Sequence, residues 1–146
     1  VFEQLIDVSL ARRLRDAGLI WRPAEADQFV IPDRLLDDEL FTISHMTVQQ
    51  RQTPAGPVIA FNGTPEWALD AIEHGEVIWL PREDQLRDRL AARFVSLTLL
   101  GDGTWRCVTS DGEEQHSFDA EQAVDAYGLA TLHHLLQATE ELFDSI

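Results

Sequence analysis

Histidines and carboxylates are the side chains of this chain with the widest chemical reach, and two of its five histidines, His133 and His134, are neighbours. On a helix adjacent side chains diverge by about 100°. The pair therefore lacks the shared face that two zinc ligands four residues apart provide. One imidazole is expected to line the core and the other to meet solvent, with Glu140 and Glu141 nearby. His45, His74 and His116 fall on expected strands or helix ends, and spacing alone does not bring them together. Carboxylates are densest at Asp33, Asp37, Asp38 and Glu39. Their oxygens suit a hard divalent cation, but the spacing is not that of a calcium loop, so a solvated acidic segment is expected.

Other reactive settings are missing by pattern. Gly101-Asp102-Gly103 is not a Gly-x-Gly-x-x-Gly sequence, and no Gly-Lys-Ser/Thr occurs, so these glycines indicate a hairpin turn and not a phosphate cradle. No serine sits in Gly-x-Ser-x-Gly. Cys107 is the single cysteine, which rules out an intrachain disulfide or a multi-cysteine zinc site and reads as a small core residue. Spacing assigns no catalytic residue, metal ligand or cofactor. Aromatic residues offer recognition instead. Trp21, Trp67, Trp79 and Trp105 lie on or beside expected sheet elements, where indoles serve packing. If Trp67, Trp79 and Arg82 are exposed together beside Asn62 and Glu83, they form a binding patch, because Trp and Arg are enriched among binding hot spots.

The elements that must carry these residues are well punctuated. Asp7 or Ser9 caps a first helix with Leu10 and Leu14 on one face, and Gly18 ends it. Leu19-Ile20-Trp21 and Phe29-Val30-Ile31 read as a small hairpin. Leu40 to Gln50 reads as one strand, answered after Thr53-Pro54-Ala55-Gly56 by Pro57 to Phe61. Thr64-Pro65-Glu66 starts a helix that runs to about Gly75, Val77 to Leu80 is a strand, and Pro81-Arg82-Glu83-Asp84 opens another helix that closes at Phe94. A meander follows at Val95 to Leu100, Thr104 to Thr109 and Gln115 to Phe118. Asp119 and Gln122 form a capping box for a long last helix striped by Leu129, Leu132, Leu136 and Phe143, which Gly128 weakens. This order predicts a single α+β domain over 1–146: antiparallel sheet of short hairpins and a C-terminal three-stranded meander, packed with about four helices.

Length and charge limit the partners. At 146 residues and 45% hydrophobic content the chain suffices for one core. With 26 acidic against 11 basic residues, all of them Arg, its net charge of -15 opposes nucleic acid and anionic membrane surfaces. The order α-β-β-β-α at the C-terminal end is that of a double-stranded-RNA-binding domain, but Asp119-Ala120-Glu121 stands where RNA binding calls for basic residues. No apolar run approaches the ~20 residues of a membrane span, and the N-terminal residues show neither a basic n-region nor a long apolar h-region, so a cytoplasmic location is expected.

The runs Ala11-Arg12-Arg13-Leu14-Arg15-Asp16-Ala17-Gly18-Leu19, Phe61-Asn62-Gly63-Thr64-Pro65-Glu66-Trp67-Ala68-Leu69-Asp70, Trp79-Leu80-Pro81-Arg82-Glu83-Asp84-Gln85-Leu86 and Ala126-Tyr127-Gly128-Leu129-Ala130 resemble a family of short actinobacterial proteins. Members of that family sometimes carry a pilus-assembly name borrowed from a larger ATPase-like protein. Without a Walker loop, the resemblance implies no nucleotide hydrolysis. The residues together lead to an expected non-enzymatic module that binds a protein or small ligand, alone or as a homodimer, through Asn62, Trp67, Trp79, Arg82 and Glu83. The rival expectation is a small metal-assisted hydrolase built from His and carboxylate side chains.

Overall fold

The computed structural model describes residues 5–31, 40–43, 48–50 and 77–144. In chain order the elements are α1 (Val8–Asp16), β1 (Gln28–Val30), β2 (Phe41–Ile43), β3 (Val48–Gln50), β4 (Ile78–Leu80), α2 (Glu83–Leu90), a 3₁₀ turn (Ala91–Arg93), β5 (Phe94–Leu99), β6 (Trp105–Ser110), β7 (Gln115–Ala120) and α3 (Ala123–Asp144). The class is α+β, with antiparallel sheets. Three α-helices stand among the described residues, not the four expected; the helix expected from Thr64 to Gly75 falls outside them. No helix of the described residues is long and apolar enough to cross a membrane. Tertiary contacts divide the chain into two compact units, residues 1–19 with 81–146 and residues 20–80.

In the first unit, α1 begins where the Asp7 carboxylate accepts the Leu10 N–H at 3.0 Å. It ends in a Schellman motif, with Gly18 N–H donating to Arg15 O and Leu19 N–H to Leu14 O while Gly18 takes φ 106°. Leu10, Ala11 and Leu14 are its buried face. That face meets α3 at Gly128, where an added Cβ would lie 2.8 Å from Leu10 Cδ2 and 3.1 Å from Ile6 Cδ1. Gly128 is thus a point of close helix approach rather than a simple weakness in α3.

Helix α2 opens with acids in its first turn, and Gln85 reaches back so that its Oε1 accepts the Arg82 N–H at 2.9 Å. Leu86 and Leu90 are its buried face. Burial of such a side chain stabilises by roughly 1.5–3 kcal/mol. Arg87 lies over the Phe94 ring at 4.4 Å, and Phe94 in turn packs on Tyr127. The meander forms in the order β5-β6-β7, as the glycine turns suggest. Gly103 (φ 89°) and Gly112 (φ 107°) supply the left-handed positions of its two turns. Cys107 and Thr109 on β6 are buried, and His116 and Phe118 alternate with exposed neighbours on β7. Asp119 is not a helix cap: it sits within β7 opposite Arg106, whose Nε and Nη2 donate to its carboxylate at 2.8 and 2.9 Å. Strand pairing claims this residue before α3 starts.

Among the described residues, the second unit holds four antiparallel strands in the order β3-β2-β1-β4. Two expected elements differ. Leu19 to Trp21 is not a strand; instead the Asp27 carboxylate accepts Trp21 Nε1–H at 2.9 Å and the Ala24 N–H at 3.0 Å, winding the segment about one buried acid. Residues 40–50 hold two strands, β2 and β3, paired with Thr42 opposite Gln49. The return strand expected over residues 57–61 lies outside the described residues. Phe29, Ile31, Phe41 and Val77 form the core of this sheet, with Trp21 and Ile43 packed against it.

Candidate functional site

Of the residues of the expected aromatic patch, Trp79, Arg82 and Glu83 are described. Asn62 and Trp67 lie outside the described residues. Trp79 is only 8% exposed and stacks on Trp21 with ring centroids 6.2 Å apart and planes 9° apart. Arg82 is half-buried and pairs with Asp84 at 3.3 Å, and Glu83 is exposed in the first turn of α2, its carboxyl raised above the usual range by partial burial and then by Asp84. The Trp79 indole is therefore packing, as most strand indoles are.

A different set of side chains converges in the first unit, around the turn from β6 to β7. The turn closes through Asp111 N–H donating to Glu114 O at 3.1 Å and Glu114 N–H donating to Asp111 Oδ1 at 3.2 Å. Asp111 Oδ2 then meets His116 Nε2 at 3.2 Å and accepts from Gln137 Nε2 on α3 at 3.4 Å. One ligand atom from each of Asp111, Glu114 and His116 lies within 4.8 Å of the others. Hydrogen bonds, first from His116 and then from Gln137, hold the Asp111 carboxyl below its ordinary range, so it stays anionic.

Two further imidazoles close the cluster from behind. The His133 ring lies 4.6 Å from that of His116 and 5.3 Å from Phe118. His134 is 8% exposed, with Nε2 at 2.8 Å from Thr109 Oγ1. His134 is buried and His133 only partly so, and their angular divergence points one toward β7 and the other toward β6. His133 Nε2 and His134 Nδ1 are buried without a hydrogen-bond partner among the described residues. Gln137 favours the charged form of His134 without reaching hydrogen-bond geometry, yet burial, then His133, Arg93 and His116, push its basicity down. His134 is therefore biased toward the neutral ring.

An open groove of about 960 Å³ runs beside this cluster, lined among others by Arg93, Asp111, Glu113, Glu114, His134 and Glu141. Chemically, two carboxylates and one imidazole form a ligand set for a divalent transition cation. In a tetrahedral site with bonds of about 2.0–2.2 Å, neighbouring ligand atoms stand about 3.3 Å apart. His116 Nε2 and Asp111 Oδ2, hydrogen-bonded at 3.2 Å, are already at a similar spacing, and a Glu114 carboxylate oxygen lies within 4.8 Å of both. Sequence spacing gave no sign of His133 or His134 near His116, because helix and strand meet only in the fold. Asp111 and His116 had a legible signal: a hairpin turn at Ser110-Asp111-Gly112 places residues flanking it within side-chain reach across the strands. Comparison of the chain with protein-family models, with curated proteins and with solved structures finds no match to any of them.

Proposed function

We propose that the chain is a non-enzymatic binding module that takes a divalent transition cation at the β6–β7 turn through Asp111, Glu114 and His116. The observation that supports this most is the gathering of their three ligand atoms within 4.8 Å. Imidazole favours Zn²⁺ over Mg²⁺, which retains water and prefers oxygen, and Mn²⁺, a transition cation that also accepts carboxylates, stands between them. Asp111 has its ligand oxygen aimed by Gln137, the role a supporting partner plays around a bound metal. Loss of such a partner alone costs about 10–100-fold in affinity, so loss of a ligand should cost at least about 10-fold.

Calorimetric titration of tag-free, chelator-washed protein with Zn²⁺, Mn²⁺ and Mg²⁺ tests this. One equivalent is expected, with Zn²⁺ tightest and Mg²⁺ weakest. His116→Ala and Asp111→Asn should each weaken it by at least about 10-fold, whereas Glu121→Gln, an exposed acid outside the cluster, should not. Weak uptake of several ions that His116→Ala leaves unchanged would refute the proposal, since a surface this acidic attracts cations without a site.

A further inference from the structure

The groove's charges fit a second ligand, and the argument rests on the cation site just proposed. Four acids line the groove, Asp111, Glu113, Glu114 and Glu141, against one cation, Arg93. In a chain of net charge -15 such a surface repels anions. A divalent ion held by Asp111 and Glu114 removes most of the local excess: it cancels both carboxylates, and Arg93 then offsets one of the two acids that remain, so a single negative charge is left and the two positive centres stand open to an anion. Three protein ligands also leave an open coordination position, which a ligand oxygen can fill.

Arg93 is the natural second anchor. It is exposed on the 3₁₀ turn after α2 and makes no ion pair with another described residue. In an acidic protein an unpaired guanidinium facing a groove is available, and its planar fork suits a carboxylate or another flat oxyanion. His134 adds an independent pointer to a ligand. It is more than nine-tenths buried, it lines the same groove, and its Nδ1 has no hydrogen-bond partner among the described residues.

We propose that the groove binds a small dianion with its charges at separate ends, one oxyanion on the cation held by Asp111, Glu114 and His116 and the other on Arg93. Cation and dianion then bind cooperatively, since each supplies charge the other needs. Linkage requires that the dianion tighten the cation by the same factor as the cation tightens the dianion.

The test uses Mn²⁺ as the cation and the α,ω-dicarboxylates from malonate to adipate as probes, with acetate as the single-charge control. Cation affinity is measured first without anion, and dicarboxylate binding then by calorimetry to the apo and the Mn²⁺-loaded protein, corrected for chelation in free solution. The apo protein should bind none of the probes. The loaded protein should bind at least one dicarboxylate about 10-fold or more tighter than acetate. Arg93→Gln should remove that preference while leaving cation affinity without anion unchanged. A preference that survives Arg93→Gln, equal binding by the apo protein, or no anion binding to the loaded protein would each overturn the dianion site while the cation site stands. Failure to take up Mn²⁺ in the first measurement would overturn both.

Discussion

Replacing Gly128 by alanine sets two effects of known size against each other. In an isolated helix the change would be favourable by about 1 kcal/mol, because glycine is the poorer helix former. Here the new methyl carbon would stand 2.8 Å from Leu10 Cδ2, 3.1 Å from Ile6 Cδ1 and 3.4 Å from Leu10 Cγ. Ordinary carbon contacts lie at about 3.5–4.0 Å, so the closest overlap is severe. The offending atoms are ends of flexible side chains, but Leu10 is 6% and Ile6 3% exposed, so neither has open space to swing into. Overpacking of a filled core costs about 1–3 kcal/mol. The net expectation for Gly128→Ala is a destabilisation of about 1 kcal/mol, read by urea unfolding followed by far-ultraviolet circular dichroism. A double-mutant cycle isolates the cause. Leu10→Ala alone should cost about 2–5 kcal/mol, and in the double variant the methyl added at position 128 fills part of the space Leu10 leaves. The double variant should therefore be more stable than the sum of the single effects by about 1 kcal/mol or more. A Gly128→Ala protein as stable as the parent, or strictly additive effects, would show that α1 does not press on α3 at this glycine.

Other perturbations probe separate parts of the first unit. Ala91 joins α2 to its 3₁₀ turn at φ 53° and ψ -126°, a positive φ that costs a side chain about 1–2 kcal/mol. Ala91→Gly should stabilise by roughly 0.5–1 kcal/mol after the added freedom of the unfolded chain is subtracted; a lowered urea midpoint would contradict the strain. The Cys107 thiol is fully buried, and burial pushes its pKa up to about 11. At pH 8 a disulfide reagent should modify it only at the rate of unfolding, and rapid labelling of the native protein would contradict that burial. Asp125 has its carboxyl raised by burial and by Asp7, although the Asp7 N–H donates to it at 2.8 Å. A raised folded pKa means the folded state holds the proton more firmly, so the stability it contributes is present in acid and lost as pH rises through that pKa. Asp125→Asn should thus gain stability at pH 7, by less than about 1 kcal/mol given its solvent screening, and the gain should vanish as pH falls below the ordinary carboxyl range. A gain constant with pH would assign the effect to something other than charge.

Elements with local punctuation were legible in the sequence. Asp7 and Gly18 bracket α1 as their side-chain chemistry demands, and the glycine turns at Gly103 and Gly112 place the three strands of the meander. Elements whose ends depend on tertiary contact were not. Residues 44–47, Ser-His-Met-Thr, contain neither Gly nor Pro, so nothing local announces that β2 and β3 are separate strands rather than one. Trp21 looks like a strand residue until Asp27, six positions on, captures its indole N–H. Asp119 satisfies the pattern of a helix cap, yet a charge-assisted bond to Arg106 across the sheet fixes it one element earlier. Gly128 reads as a helix defect in one dimension and becomes a contact requirement when α1 crosses α3.

The same distinction explains why the His and carboxylate cluster was half visible. Once Ser110-Asp111-Gly112 is a turn, the register that sets Thr109 opposite His116 and Ser110 opposite Gln115 forces Asp111 and His116 into diagonal proximity, a consequence of hairpin geometry alone. What no local rule supplies is the return of α3 across the inner face of β6 and β7. That return brings Gln137 to Asp111 and His133 to His116, and it inserts His134 beside Thr109. Adjacent positions on a helix diverge too far to share one ion, and this divergence, which argued against a zinc pair within α3, is what lets two neighbouring imidazoles serve two strands. The divergence also separates their surroundings: His133 packs against His116, whereas His134 lines the groove in which Arg93 stands opposed to acids. Composition alone reads the excess of acids as opposing anionic partners. Grouped around a groove with one guanidinium, the same charges would, on the proposal above, make anion entry conditional on a cation already in place.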